Sequence, residues 1–251
     1  MKHVLLSLAL FASVAAFADE IESSNVIGVL PVTSSAKRTI VSVPWCAMSA
    51  TDNAAIQVSN IVKTANLTVD DTIHYFDGTA FQTWKLAADA TTGVKYWQSV
   101  NQVSVNGAVT ETPSSAELTV ARGGAIMLIR NGDLSLPFYL YGQVGSGEVS
   151  STISQGSADA PVYNLIAPSG AANVQILSKL SNPGTGDEMY VPNATTGNMV
   201  SYFYNGTSWG RYVPSGIAPA WQSYSEINVK AGTGFWYVSK DSTGSAPVFN
   251  W

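Results

Sequence analysis

The sequence predicts an all-β fold: two tandem β-sandwich-like (or small barrel-like) lobes related by internal duplication, preceded by a signal peptide. Three observations predict it. Short runs of β-branched or alternating residues follow one another along the whole chain. Turn signals recur about every ten residues, many of them Asx-Gly. The second half repeats, in order, landmarks of the first.

The amino terminus comes first. Lys2 and His3 give a short cationic start, Val4 to Phe17 is apolar apart from two serines, and Ala16-Phe17-Ala18 ends the run. Small side chains at −3 and −1 suit signal peptidase, so cleavage is expected before Asp19. The run is shorter than the ~20 residues a bilayer-spanning helix needs. No cysteine follows the cleavage site for lipid attachment. Residues 19–251 are therefore expected in the periplasm, on the cell surface or outside the cell.

The expected strands are Val26–Val32, Thr39–Pro44, Ile56–Val62 and Thr72–Phe76 in the first half. Val162–Ala167, Val174–Leu177, Met199–Tyr204, Ile227–Val229 and Gly234–Ser239 follow in the second. Hairpin turns are expected at Asp77-Gly78, Asn106-Gly107, Asn131-Gly132 and Asn205-Gly206, where Asx-Gly supplies positive φ. Ser49–Ser59 is the best helical candidate and lacks a sustained i, i+3, i+4 stripe. An outer-membrane barrel is an alternative, because the chain ends on an aromatic, Trp251. Most of the runs fall short of the ~9–11 residues such strands need.

Comparing the halves aligns Asp71 with Asp187, 116 positions on, and Trp97 with Trp209, 112 on. Leu118 to Ile126 then resembles Ile227 to Phe235, with Gly124 set against Gly234 and Pro137 against Pro247. A rival register matches Asp77-Gly78-Thr79 to Asn205-Gly206-Thr207 and Trp97-Gln98-Ser99 to Trp221-Gln222-Ser223, but it breaks at the glycines and the proline. A Gly/Ser-rich stretch marks a linker. The expected division is residues 19–145 for the first lobe, 146–158 for the linker and 159–251 for the second lobe.

The second lobe carries Gly186-Asp187, then Gly206-Thr207-Ser208-Trp209, then Val229-Lys230-Ala231-Gly232-Thr233-Gly234-Phe235-Trp236. In this it resembles a loose class of uncharacterised exported bacterial β modules with a Gly-Asp, Gly-x-x-Trp and Gly-x-Gly-Phe-Trp signature. The first lobe departs from it, with Asp70 for the first glycine and Ala125-Ile126 for Phe-Trp. The resemblance implies the fold and export and brings no known active site. Gly-x-Gly ahead of an apolar strand has its own physical reading, a sharp turn with close backbone approach.

Composition excludes several functions. Twelve Lys and Arg against seventeen Asp and Glu give a formal charge of −5 without a basic cluster, which disfavours nucleic acid and anionic lipid as partners. Cys46 is the one cysteine, so no internal disulfide forms, and its apolar setting reads as a small buried hydrophobe.

Catalytic chemistry finds little to work with. His74 is the one histidine after the signal peptide, and it aligns with Tyr190, which reads as a strand position. A lone histidine without a cysteine cluster builds no zinc site, so neither metal nor cofactor is expected. Gly206-Thr207-Ser208-Trp209-Gly210 matches the nucleophile-elbow pattern, yet no histidine follows it. Asp70/Asp71 and Asp187/Glu188 are the acid pairs a glycan hydrolase would need. Neighbours on a strand point to opposite faces, so turn roles fit them better, with a calcium site as a lesser reading.

Aromatic residues remain. Trp209, Trp221, Tyr224 and Trp236 fall in the hairpin region of the repeat and are the candidate ligand-binding residues. The sequence thus predicts a non-catalytic exported protein with a binding role, glycan or another cell-surface component leading, or a structural one. An outer-membrane or assembly protein and a glycan hydrolase are the alternatives.

Overall fold

The structure, a computed structural model, describes residues 27–33, 36–47, 54–76, 80–105, 108–114, 119–215 and 218–251, with the backbone alone for 101–105 and 108–114. The expected signal peptide and the Asp77-Gly78 and Asn106-Gly107 turns lie outside the described residues. Among the described residues the protein is all-β apart from one helical turn, α1 (Val58–Ile61). Among the described residues no helix is long and apolar enough to cross a membrane.

Strands are numbered in chain order. In the first half β1 (Ile27–Val32), β11 (Phe138–Gln143) and β4 (Val62–Lys63) form a sheet ordered β1-β11-β4. A six-stranded sheet runs β2 (Arg38–Ser42), β10 (Ala125–Ile129), β5 (Thr72–Phe76), β6 (Phe81–Ala88), β7 (Lys95–Val105), β8 (Ala108–Ser114). A short ladder joins β3 (Ile56–Gln57) to β9 (Thr119–Val120).

The second half has β12 (Ser150–Thr152), β22 (Val248–Asn250) and β15 (Leu180–Ser181) in one sheet. Its six-stranded sheet is β13 (Val162–Ile166), β21 (Phe235–Ser239), β16 (Glu188–Pro192), β17 (Met199–Tyr204), β18 (Trp209–Val213), β19 (Ala220–Tyr224). Its short ladder is β14 (Val174–Gln175) with β20 (Asn228–Val229). Each order is that of the first half with eleven added to every strand number.

Side-chain alternation explains the cores. Ile73 on β5 and Ile126 and Leu128 on β10 are fully buried in a cluster with Leu86, Phe138 and Leu140. Met189, Phe235 and Tyr237 do the same in the second half with Ile176, Trp209 and Phe249. A third, small cluster of Ile40, Ala125 and Ala167, packed by Leu165 and Trp236, lies between the outer faces of the six-stranded sheets.

Backbone contacts lock that junction. Val41 and Thr233 form an antiparallel bridge, Ser42 N–H donates to Gly232 O at 3.0 Å, and Gly234 N–H to Ile40 O at 3.0 Å. The two glycines are needed there: a Cβ on Gly232 (φ +77°) would sit 2.5 Å from Val32 Cγ2, and one on Gly234 2.8 Å from Ile40 Cγ2. Close approach, anticipated for Gly-x-Gly, is thus an approach between the halves.

Several expected features differ. Ile56–Val62, read as one strand, is β3, α1 and the start of β4, because Val58 and Ile61 are both buried by one helical turn. Asn131-Gly132 is no hairpin, since β10 and β11 belong to different sheets; Gly132 lies where a Cβ would meet Thr68 Cγ2 at 2.7 Å. Residues 146–158, read as a linker, contain β12 and the buried Ile153; Val149 and Ile153, the two branched apolar residues there, are too few for a periodicity signal. The turn glycine before β10 is Gly123 (φ +83°), comparable to Gly232 rather than Gly234; Gly124 and Thr233 each donate to the carbonyl three residues back.

Candidate functional site

A cleft of about 640 Å³ opens between the outer faces of the two six-stranded sheets, within the ~300–1,000 Å³ usual for ligand sites. Strand alternation supplies its walls. With Ile73 in the core, His74 and Phe76 face outward; with Phe235 and Tyr237 in the core, Trp236 does so. The β5–β6 register sets Phe76 opposite Phe81, and the β16–β21 register sets Tyr190 opposite Trp236.

Trp236 is the hub. Its ring meets Phe76, Phe81 and Tyr163 edge-on, at centroid distances of 5.8, 6.2 and 6.3 Å. Phe81 and Tyr163 stay half exposed, at 48% and 50%, so ring surface remains open to a ligand. Arg38 and Lys230, both exposed, supply the cations of the lining. Lys230 Nζ reaches Thr33 Oγ1 at 3.4 Å.

The outer face of the second sheet continues the aromatic surface. Tyr190 pairs with Ser201 on β17, and Tyr212 on β18 pairs with Trp221 on β19, their rings 5.3 Å apart. A second recess of about 380 Å³ lies between Met199 and Tyr212, and Met199 lines both recesses. Trp236, Tyr190, Tyr212 and Trp221 therefore share one sheet face. With strands about 4.8 Å apart, four strand steps span roughly 19 Å from β21 to β19.

The four aromatics singled out from the sequence do not form one patch. Trp209 is 6% exposed, in the core against Tyr204 and Tyr237, and offers no ring face to solvent. Tyr224 is on the core side with Trp209, packed on Tyr202 and under the Arg211 guanidinium. Trp221 lies on the outer face, half-buried over Gly210, with Nε1 donating to Ser223 Oγ at 3.1 Å. Trp236 lines the cleft. Sequence reading missed Phe76, Phe81, Tyr163, Tyr190 and Tyr212. Strand alternation could have placed Tyr190 and Tyr212; the facing sheet is a tertiary fact.

The titratable groups are engaged elsewhere. His74 Nε2 lies 3.1 Å from Thr72 Oγ1 and Nδ1 2.9 Å from Thr83 Oγ1. Burial, helped by the nearby Arg38 charge, lowers its pKa below 6.5. Asp71 and Asp187, both fully buried, hold backbone. Asp71 takes the N–H of Thr68 at 2.9 Å and of Asn131 at 2.6 Å. Asp187 takes those of Gly184 and Lys240, both at 2.8 Å. Asp70 is exposed and paired with Lys85 at 3.1 Å.

Glu188 is ion-paired to Lys240 and accepts the Tyr190 hydroxyl at 2.6 Å, a bond that with burial pushes the Tyr190 pKa up to about 12. Ser208, in the elbow-like motif, sits in the loop of the β17–β18 hairpin, its N–H donating to Asn205 Oδ1 at 2.8 Å. Among the described residues no group of three His, Cys, Asp or Glu gathers as for a metal. Comparison with protein-family models, curated proteins and solved structures finds no match to this chain.

Proposed function

We propose that this chain is an exported, non-catalytic binding protein built from two copies of one β module, with a glycan held along the outer aromatic face of the second. The observation that carries the reading is the row Trp236, Tyr190, Tyr212 and Trp221 on one sheet face, with Tyr212 66% exposed. Tyrosine and tryptophan present a rigid apolar face to the C–H side of a sugar ring while their polar ends stay hydrated.

Duplication is supported by the matching strand orders and by two details beneath them. Asp71 and Asp187 each accept the N–H three residues back and one N–H beyond the strand β10 or β21. Trp97 and Trp209 occupy the same ladder position on β7 and β18. The leader at residues 1–18 supports export. A non-catalytic role is supported by the acids: Asp71 and Asp187 are spent on backbone, and Glu188 on Lys240 and Tyr190.

A panel of oligosaccharides followed by tryptophan emission tests this. Binding is expected without turnover, weakened by Trp221→Ala and by Tyr212→Ala, the latter at unchanged melting temperature. Binding untouched by either change, or hydrolysis of any member, would overturn the reading.

A further inference from the structure

We infer that the glycan is acidic, a chain of uronic-acid type whose carboxylates meet Arg38 and Lys230; this rests on the glycan reading above. The charges are unevenly placed. The chain is acidic, with seventeen Asp and Glu against twelve Lys and Arg. Yet among the described residues lining the cleft there are two cations, Arg38 and Lys230, and no carboxylate. Glu188, on the same sheet face, is already taken by Lys240 and Tyr190.

A neutral sugar makes no use of such an arrangement. A polyanion does, because complementary charge favours its approach and sets its orientation. The guanidinium fork of Arg38 matches a planar carboxylate. Its place at the start of β2, beside the Trp236 cluster, puts the charge at the cleft end of the aromatic row. Stacking on the rings and pairing at the rim then act on different parts of one sugar unit.

Hexagalacturonate and its fully methyl-esterified form share a skeleton and differ in charge, so they separate this inference from the reading beneath it. Titration calorimetry of the full chain should find the free acid bound about tenfold more tightly at low salt, as two exposed ion pairs allow. The preference should shrink toward unity at about 0.5 M salt as screening sets in. Arg38→Gln with Lys230→Gln, both at exposed positions, should remove it while the ester binds as before. Equal affinity for acid and ester, or a preference that survives the double change or high salt, overturns the acidic assignment and leaves the glycan reading standing. Binding of neither form, nor of any neutral hexasaccharide, brings down both.

Discussion

The Tyr237 hydroxyl donates to Asp187 Oδ2 across 2.5 Å, with both residues fully buried in the second core. The same carboxylate takes the N–H of Gly184 and Lys240, so one group ties a turn to strand β21 and to the end of that strand. Asp187→Ala strands three donors in a place without water. A loss of roughly 3–5 kcal/mol is expected in urea unfolding. Tyr237→Phe, which keeps the two backbone bonds, should cost about 1–2 kcal/mol. An alanine variant within 1 kcal/mol of the parent, by the same order-of-magnitude scale, would contradict this role.

Alkaline pH should destabilise the fold through tyrosine. Burial, then the bond to Asp187, raises the Tyr237 pKa, and the Glu188 bond and burial take Tyr190 from 10.0 to about 12. Below 10.0 both folded and unfolded chains hold these protons, and the contribution is fully present. Above it the unfolded chain releases them first, so stability falls as pH rises toward 12 and beyond. Phenolate absorbance should show a late-titrating class that appears together with unfolding.

Acid acts through His74 with the opposite sign. Its pKa is lowered from 6.5 by burial and by Arg38, so the unfolded chain takes up a proton more readily. The contribution is complete above 6.5 and is lost as pH falls through the lowered value. His74→Gln should flatten the difference in unfolding free energy between pH 7 and pH 5. An unchanged difference would place the acid sensitivity elsewhere.

Two glycines with the same backbone requirement should respond unequally to alanine. Gly186 (φ +88°) has nothing within 4 Å of an added Cβ, so only the left-handed conformation resists, at about 1 kcal/mol. Gly232 (φ +77°) adds the collision with Val32, a further 1–3 kcal/mol or so. Thermal melts of the two variants should rank Gly232→Ala well below Gly186→Ala.

Cys46 carries a buried thiol, 1% exposed, on a backbone bridged to Gln143. A thiol reagent should label the native chain only as fast as it opens, and denaturant should raise that rate in step with unfolding. Rapid labelling of the native chain would mean that this strand edge is exposed.

Local chemistry was legible in the sequence where one element decided it. Thr72–Phe76 and Met199–Tyr204 appear as read, because their β-branched and aromatic runs sit between strong turn signals. Asn205-Gly206 makes its hairpin, with Gly206 at φ +90°. Asn131-Gly132 misleads because the same dipeptide serves wherever backbone crowds a side chain. The candidate site was legible only in part. Trp236 reaches the cleft because the first half's Phe76 and Phe81 come to meet it, a contact across more than a hundred residues of chain. Trp209 looked no different from Trp221 in sequence, yet the β18–β19 ladder turns one inward and the other outward.

The antiparallel bridge between Val41 and Thr233 is made of main-chain atoms, flanked by glycines that carry no side chain at all. Amide groups are the same in every residue but proline, so mutation elsewhere cannot readily alter how far apart the cleft walls stand. Side chains on those walls are then free to vary, as phenylalanine and arginine on one and tryptophan and tyrosine on the other. Two sheets soldered in this way tolerate such variation without disturbing how they meet.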